Sequence, residues 1–379
     1  MTKRLVFVTS ADLGQANGPA LHVLNLLGAL ADSDDAVVLI APEAKPVLPL
    51  DGRVEWVKVR DVRRFGLPGG FAFVMMIPAL WRARKADAII LRSAPLSLVA
   101  SLFLRAAGVK RLVIELNGWV ADEARNMGVP GWLARLVGIA QRLEVPLAHA
   151  IRVVTPELAR LAKEAGGRAI AIIPTGTRLD LFRPHPRAEA RRALGYPIDD
   201  VRLAYLGNLW KAIDLETAIK AVALLRQRGV VVHLDIIGDG PKAPEFKALA
   251  TSLLPADAFS FVGSVPPDQA CLHIAAADLA LAPFRPSQGG LSPLKLRDYA
   301  ACGRLVVASD LPGVIPDGTQ DWLFPALAGD VEHFATSIET GLALRSGERE
   351  QAARHYAEAH FGWDGVAQAI RAQLLTSGP

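Results

Sequence analysis

Apolar runs of strand length alternate with helical segments along this chain, and the whole pattern occurs twice. The first run, residues 4–10, is continuously apolar, which is typical of a strand buried on both faces of a parallel sheet. A helical pattern from about residue 19 to 31 follows it. Alternation of this kind predicts an α/β protein with doubly wound sheets, whose ligands bind beyond the carboxyl ends of the strands. The further strands predicted in the first series are residues 36–42, 54–59, 86–93, 111–118 and 150–156.

The pattern restarts after a connector, residues 169–186, which is interrupted by prolines and glycines. A strand at 201–208 and a helix at 214–229 open the second series. Its further predicted strands are residues 230–241, 259–265, 278–284 and 304–310. We therefore predict two Rossmann-like domains and a terminal helix that packs back toward the first domain. The predicted ranges are 1–183, 184–362 and 363–379.

Charge and cysteine content limit the possible partners. Residues 1–185 contain 24 Lys and Arg against 16 Asp and Glu, a net charge of +8, whereas residues 186–379 have a net charge of −4. We find no recognition helix or basic-aromatic motif, and therefore expect no nucleic-acid partner. Cys271 and Cys302 provide no disulfide framework and no metal-ligand spacing. Together with a start that runs directly into a strand, this predicts a cytoplasmic protein without a signal peptide.

Residues 65–81 form the longest apolar stretch, interrupted by glycines and prolines and shorter than the roughly 20 residues of a membrane-spanning helix. Arginines lie at both of its ends. Phe71, Phe73 and Trp81 inside the stretch predict a reversible contact with an anionic membrane surface. The alternative is a buried helix whose terminal arginines extend to solvent.

Residues 289–303 join a glycine-rich loop to a sharply defined helix start. Ser292 suits the N-cap and Pro293 the first helical position, while Gly303 suits the helix end. A helix start can bind an anion, and Lys295 in the first turn strengthens that interpretation. The alternative is an ordinary capped helix with a surface lysine.

Four segments of the second half of the chain carry a family resemblance: YLGNLWKAIDLETAIKA, IIGDGP, FVGSV and SPLKLRDYAACGRLVVASDLPG. In this order they resemble the donor-binding domain of retaining GT-B glycosyltransferases of family 4. The connector IPTGTRLDLFRP is similar to the family's linker, and GPALHVLNLLGAL is similar to its first-domain glycine loop. One such motif is weak evidence, whereas several in the right order are specific. The resemblance implies a GT-B fold, with an acceptor-side and a donor-side domain facing across a cleft.

The resemblance also implies the reaction: transfer of a sugar from a nucleotide-diphosphate sugar. Two lysines and a helix dipole can hold the diphosphate, and no acidic pair suggests a metal site, so we expect neither a metal nor a cofactor. The leaving diphosphate gains negative charge as the glycosidic bond breaks, and fixed cations stabilise that charge. Lys211, at the predicted start of the helix after strand 201–208, and Lys295 are the candidate catalytic cations. Asn208 replaces an arginine of the family and completes the candidate catalytic set.

Asp298 matches the last glutamate of the family's E-x7-E motif, which holds the ribose hydroxyls of the donor. It lies one helical turn from Lys295, so both side chains can face one ligand. The alternative for Asp298 is a surface ion pair with a neighbouring arginine. The other donor-binding candidates are glycines and residues with accessible backbone amides: Gly18, Gly207, Gly238, Gly263, Gly289, Gly290, Leu291, Ser292 and Leu294.

Several positions depart from the family pattern. The first glutamate of E-x7-E falls at Gly290, so recognition of the donor sugar must differ, and we expect backbone amides to replace it. In the first half, Arg92 and Asn117 align with two histidines of the family. We take these residues and His22 as acceptor-side candidates, and a hydrogen-bonded core histidine is the alternative for His22.

The leading hypothesis is a retaining glycosyltransferase that builds a bacterial cell-surface polysaccharide or glycolipid. It would work as a peripheral protein on the cytosolic face of the inner membrane, with a glycan or lipid-linked acceptor. Retaining transfer by a front-face mechanism needs no protein nucleophile. Two alternatives are a catalytically silent protein that binds nucleotide sugars and a non-hydrolysing nucleotide-sugar epimerase, for which we find no convincing acid-base pair.

Overall fold

The computed structural model describes residues 3–15, 18–32, 35–65, 69–126, 128–286, 293–316 and 320–375. The chain forms two compact units: Met1–Gly176 with Trp363–Pro379, and Thr177–Gly362. The second unit begins at Thr177, ahead of the predicted start at residue 184. Thr177 is bound to the second unit, because its backbone N–H donates to the carbonyl oxygen of Phe361, 2.7 Å away.

The first unit alternates strands and helices, as the sequence predicts. Its strands are β1 Arg4–Val8, β2 Ala36–Pro42, β3 Val54–Val59, β4 Ala88–Arg92, β5 Leu112–Leu116, β6 Ala150–Val153 and β7 Ile170–Ile172. Its helices before the connector are α1 Gly18–Ala31, α2 Ala72–Ala83, α3 Ser97–Ala106, α4 Val120–Asn126, α5 Gly131–Glu144 and α6 Pro156–Glu164. Short 3-10 turns occupy Val62–Phe65, Gly69–Phe71 and Val145–Leu147.

The first sheet has the strand order β3-β2-β1-β4-β5-β6-β7, with all neighbours parallel. Successive side chains of a strand point to opposite faces, and both faces are apolar here. Leu5 and Phe7 pack with α1, whereas Val6 and Val8 pack with α2 and α3. This two-sided burial explains why the strands are continuously apolar in sequence.

The second unit repeats the design with a six-stranded parallel sheet in the order β10-β9-β8-β11-β12-β13. Its strands are β8 Arg202–Leu206, β9 His233–Ile237, β10 Phe259–Gly263, β11 Leu279–Ala282, β12 Val306–Ser309 and β13 Leu323–Ala326. Its helices are α7 Arg187–Leu194, α8 Leu215–Gln227, α9 Ala243–Leu253, α10 Pro267–Ala276, α11 Leu294–Ala301, α12 Val331–Ala343 and α13 Gly347–His360. The final helix, α14 Trp363–Leu374, packs on α1 in the first unit.

The predicted pair of doubly wound parallel sheets is confirmed. The sequence analysis missed two strands. The three-residue strand β7, Ile170–Ile172, lies within the segment predicted as a connector. Strand β13, Leu323–Ala326, is short and contains Pro325, which weakens a strand pattern. Pro325 is tolerated because β13 is the edge strand of its sheet.

The two cysteines, far apart in sequence, are neighbours in the second unit. Cys271 in α10 and Cys302 after α11 are both buried and free, with their Sγ atoms 3.7 Å apart. The sequence analysis predicted no disulfide framework and did not reveal that the two cysteines are close together. Their spacing along the chain does not determine the distance between them in the fold.

Candidate active site

Glycines lie at the carboxyl ends of three neighbouring strands in the second sheet. Gly207, Gly238 and Gly263 have φ angles of +138°, +129° and +81°. A Cβ on Gly238 would lie 2.1 Å from the carbonyl oxygen of Gly207, so no other residue fits there. The backbone N–H of Gly238 donates to the carbonyl oxygen of Gly263 (2.8 Å). This edge of the sheet is therefore lined by backbone, which a ligand can approach closely.

Lys211 and Asn208 lie in the loop that joins β8 to α8, and both side chains are exposed. Because α8 begins at Leu215, Lys211 lies in a turn before the helix, which corrects its predicted position at the helix start. A bridge between Ile213 and Phe284 delays the helix by pairing the loop with the segment after β11. The loop is thus anchored at one end while the Lys211 ammonium stays open to a ligand.

Lys295 is half-buried at the same edge of the second sheet. Its ammonium donates to the Tyr205 hydroxyl (2.8 Å) and lies 4.1 Å and 4.8 Å from the ring centroids of Tyr205 and Phe284. A Cβ on Gly207 would lie 3.0 Å from the Lys295 Cε, so the glycine makes room for the lysine. Burial lowers the pKa of Lys295 to about 7. Among the residues that the structure describes, Lys295 has a hydroxyl and two rings beside it and forms no ion pair.

The helix that carries Lys295 starts one residue later than predicted. Pro293 occupies the N-cap position and Leu294, half-buried, is the first helical residue of α11. At the other end, Gly303 has a φ of +66° and terminates the helix as predicted. The other residues predicted for this loop lie outside the described part of the chain: Gly289, Gly290, Leu291 and Ser292.

Asp298 lies one turn after Lys295 on α11 and is half-buried. Its carboxylate accepts a hydrogen bond from the Thr177 hydroxyl. Burial raises the pKa of Asp298 to about 7, against the opposing effects of the Thr177 hydrogen bond and the Arg297 charge. The alternative of a solvated surface ion pair does not describe this environment.

The three acceptor-side candidates of the first unit converge on one buried carboxylate, that of Glu115 in β5. The Nε2 atom of His22 lies 2.9 Å from a Glu115 oxygen, and the Asn117 amide donates to the same oxygen. Arg92, at the end of β4, has its Nη1 atom 3.7 Å from it. Arg152 in β6 donates to the second carboxylate oxygen (2.5 Å). Four side chains, three from α1, β4 and β6 and one from the loop after β5, therefore meet Glu115 near the carboxyl ends of three adjacent strands.

The charges within this Glu115 cluster are well defined. Burial opposes ionisation of Glu115, but the hydrogen bond from His22 and the nearby Arg152 and Arg92 hold its pKa well below the usual range. Burial lowers the pKa of His22 to about 4. His22 is therefore neutral at pH 7, and its Nε2 carries the proton that it donates to Glu115. This environment is the predicted alternative, a hydrogen-bonded core histidine.

Not every polar atom of the cluster is satisfied. Among the described residues, the Nη1 atom of Arg92, the Oδ1 atom of Asn117 and the Nδ1 atom of His22 have no hydrogen-bond partner and are buried. Unsatisfied polar atoms are costly in a protein interior and are rare without a reason.

Gly18, the donor-binding candidate of the first unit, is the first residue of α1. It lies one turn before His22 and is half-buried.

Two family models match this chain. One, described as "Glycosyl transferase 4-like domain", matches residues 17–176, and the other, "Glycosyl transferases group 1", matches residues 200–343. The chain belongs to the group 1 glycosyltransferases of the family 4 type.

Relatives of this group 1 glycosyltransferase include a D-inositol 3-phosphate glycosyltransferase of Mycobacterium leprae. It is 30% identical over 214 residues, which are 54% of this chain and 48% of the relative. The chain thus spans about half the length of the curated relatives it matches. Sucrose-phosphate synthase from Thermosynechococcus elongatus has a TM-score of 0.77 at 19% identity, covering 98% of both chains. The Anabaena protein HepE, solved in complex with UDP-glucose, has a TM-score of 0.74 at 17% identity, covering 98% of this chain and 99% of HepE. These structures share the GT-B fold.

The sequence analysis of this group 1 glycosyltransferase did not identify two residues of the cluster, Glu115 and Arg152. Glu115 and Arg152 each interrupt a continuously apolar strand, in the segments LVIEL and AIRV. A charge inside a buried strand has to be paired. Opposite charges in two predicted neighbouring strands are therefore a signal that could have identified the pair.

Proposed function

We propose that this chain transfers a sugar from a nucleotide-diphosphate sugar to a glycan or lipid-linked acceptor, with retention of the anomeric configuration. The observation that carries this proposal is Lys295. Its ammonium lies at the carboxyl edge of the second sheet, beside Gly207 and among aromatic rings. A cation in such a position gains most from a bound anion, and a diphosphate is the anion that family membership points to.

Lys211 and Lys295 act on the leaving diphosphate in this proposal. As the bond from the sugar to the phosphate breaks, charge accumulates on the phosphate oxygens, and the two ammonium groups stabilise it. The amide of Asn208 adds a neutral donor from the loop of Lys211. These groups and the start of α11 supply the positive charge, so we propose that the reaction needs no divalent metal.

Asp298 and the glycines account for the rest of the donor site in this proposal. Gly207 and Gly238 carry no side chains of their own, so the nucleotide can approach the backbone beside Lys295. The Asp298 carboxylate accepts hydrogen bonds from ribose hydroxyls, displacing Thr177. Backbone donors of residues 289–291 replace the family glutamate, which is a glycine at position 290.

The acceptor side uses Arg92 and Asn117, because each has a buried polar atom without a hydrogen-bond partner among the described residues. The acceptor hydroxyl attacks the anomeric carbon on the face that the diphosphate leaves, and the proton passes to the departing phosphate oxygen. His22 is neutral, and its Nε2–H donates a hydrogen bond to Glu115. In this proposal it positions the cluster and does not act as a general base. A soluble sugar phosphate is a second candidate acceptor, because Arg92 would suit a phosphate and the Mycobacterium leprae relative is named for one.

The cellular role that we propose is synthesis of a bacterial cell-surface glycan, on the cytosolic face of the inner membrane. Support comes from the basic first half of the chain and from the apolar surface described in the next subsection. The lipid-linked acceptor follows from the same reasoning, because such an acceptor stays in the bilayer.

The test is turnover with a panel of nucleotide sugars that begins with UDP-glucose, the compound bound in the HepE structure. We expect nucleotide release that depends on an acceptor, persists in the presence of a chelator, and gives a product with the donor's anomeric configuration by NMR. A thermal shift with donor but no nucleotide release would instead indicate a silent nucleotide-sugar binder, which the missing glutamate at Gly290 makes the second candidate. Loss of turnover in chelator, with rescue by magnesium or manganese, would refute the metal-independent mechanism.

A further inference from the structure

Large apolar side chains are exposed over one region of the first unit. Of the eighteen large hydrophobic residues exposed within the described ranges, twelve lie on α2, α3 and α5 or shortly before α2. We call the part on these helices the three-helix face. Its members are Val74, Met75 and Trp81 on α2, Val99 and Leu102 on α3, and Trp132, Leu133, Leu136, Ile139 and Leu143 on α5.

Helix α5 shows how unusual this surface is. Trp132, Leu136, Ile139 and Leu143 are between 53% and 67% exposed, and they recur at the spacing of one helical stripe. The opposite stripe of α5 is buried, as it is in an ordinary surface helix. The helix therefore exposes an apolar stripe to solvent, although its opposite face is already buried. Large exposed apolar patches mark interaction sites.

The three helices are neighbours in the fold. Helix α2 packs on α3, and α3 packs on α5. The rings of Trp81 in α2 and Phe103 in α3 are 6.3 Å apart, which joins the first two helices. The exposed apolar side chains therefore lie on adjacent elements of the first unit.

The exposed charges of α2, α3 and α5 all have the same sign. They are the arginines Arg82, Arg105, Arg135 and Arg142. The single carboxylate of these helices, Glu144, is buried and accepts hydrogen bonds from Ser93 (2.7 Å) and Ser101 (2.9 Å). The three-helix face thus combines apolar side chains with positive charge and exposes no negative charge.

We infer that the three-helix face binds the surface of an anionic bilayer. Its arginines pair with lipid phosphates, while Trp81, Trp132 and their apolar neighbours enter the boundary between head groups and acyl chains. A second copy of the chain fits less well, because two identical faces of this charge would repel each other. None of the described helices is long and apolar enough to cross a membrane, and interfacial binding requires no such helix.

The structure changes the surface that the sequence predicts for this contact. Phe73, predicted to enter the bilayer, is fully buried in the core. Arg63, at the basic end of the predicted stretch, pairs with Asp61 (2.8 Å) and lies 3.7 Å from Asp12. Helix α5, which the sequence analysis did not assign to the contact, supplies the longest apolar stripe.

The test is co-sedimentation of the full chain with vesicles of phosphatidylglycerol and phosphatidylcholine, compared with vesicles of phosphatidylcholine alone. We expect binding to the anionic vesicles at low salt, much weaker binding to the neutral ones, and release at high salt because the attraction is screened. No donor or acceptor is present, so the result is independent of sugar transfer.

Two sets of variants separate the contributions. Replacing Arg82, Arg135 and Arg142 together with Gln should weaken binding by on the order of 100-fold, at roughly fivefold for each arginine. The matched control changes three exposed basic residues outside the face: Arg168→Gln, Arg192→Gln and Lys247→Gln. The control should bind like the unaltered protein.

The apolar variant carries Leu136→Ser and Ile139→Ser, and its control carries Val231→Ser and Leu253→Ser, which are exposed apolar residues of the second unit. We expect at least tenfold weaker binding for the first pair and no change for the second, with unchanged circular dichroism in both. Absence of binding to anionic vesicles at low salt, equal binding to both vesicle types, or equal binding of variants and controls would each overturn the inference. A dimer in solution that the apolar variant abolishes would overturn it in favour of self-association.

Discussion

The carboxyl edges of the two sheets use charge in different ways. In the first unit this edge holds the Glu115 cluster, where two arginines, Arg152 and Arg92, share one buried carboxylate. In the second unit it holds glycines and Lys295, whose described neighbours include a hydroxyl and two aromatic rings. The arginines of the first edge are held by a built-in carboxylate, whereas Lys295 forms no ion pair with the residues that the structure describes and therefore favours an anion.

The second unit also contains buried ion pairs, but it places them at the amino ends of its strands. Arg202, the first residue of β8, makes two hydrogen bonds of 2.7 and 2.8 Å with Asp235 in β9. Asp278, just before β11, accepts one of 2.7 Å from Arg191. These pairs stabilise the sheet away from the edge where ligands bind. The second unit thus keeps these buried ion pairs away from the edge that holds Lys295, whereas the first unit has a buried ion pair, Glu115 with Arg152, at its carboxyl edge.

The largest expected effect is on stability, from Glu115→Gln. This change leaves the Arg152 guanidinium buried without its counter-charge, and breaking such a pair costs about 3–5 kcal/mol. Denaturant unfolding would measure it, with Glu55→Gln, an exposed strand residue, as the control that should change little. Asp235→Asn should cost a similar amount through Arg202 without changing donor affinity. A loss below about 1 kcal/mol for Glu115→Gln would mean that the cluster is not held by charge.

Lys211→Ala tests the catalytic role of the second edge. Loss of a group that stabilises transition-state charge lowers the rate by on the order of 10²–10³. The fold should be unaffected, because Lys211 is exposed in a turn. Steady-state turnover would be compared with that of Lys220→Ala, an exposed lysine on α8. Near-normal turnover in Lys211→Ala would remove this residue from the mechanism.

Asp298→Asn should weaken donor binding by roughly 10–100-fold, because the hydrogen bonds of a charged group to ribose contribute about 1.5–3 kcal/mol. The contact persists from ground state to transition state, so KM should rise while kcat stays nearly constant. Calorimetry with the donor would measure the affinity, and Asp268→Asn, exposed on α10, is the control. Unchanged affinity in Asp298→Asn would show that the ribose lies elsewhere.

The smallest expected effect for a single step, about tenfold for each pH unit, is the pH dependence of donor binding. Since the pKa of Lys295 is lowered to about 7, most of its ammonium is deprotonated at pH 8 in the free protein. A bound diphosphate favours the charged form, so binding above pH 7 should take up close to one proton and weaken about tenfold for each pH unit. Calorimetry in buffers of different ionisation enthalpy detects this uptake, and Lys295→Met should abolish it. Binding without proton uptake between pH 7 and 9 would contradict the assignment.

Much of the fold could be predicted because it depends on local signals. Continuous apolar strands, helical periodicity and terminating residues such as Gly303 act over a few residues, and they predicted both sheets. The candidate residues beside Gly207 and Gly238 follow from the general rule that ligands bind beyond strand ends. The loop of Lys211 was placed less well, because the bridge from Ile213 to Phe284 joins segments far apart in sequence.

The sequence by itself determined the α/β architecture, the family and the small set of residues around which a donor site can form. Only the tertiary structure decided which side chains face each other. It brought Arg152 to Glu115, turned Phe73 into the core, and placed α5 beside α3. The physical reason is that periodicity specifies which face of an element is apolar, whereas partners and leftover exposed faces are set by packing between elements that are distant along the chain.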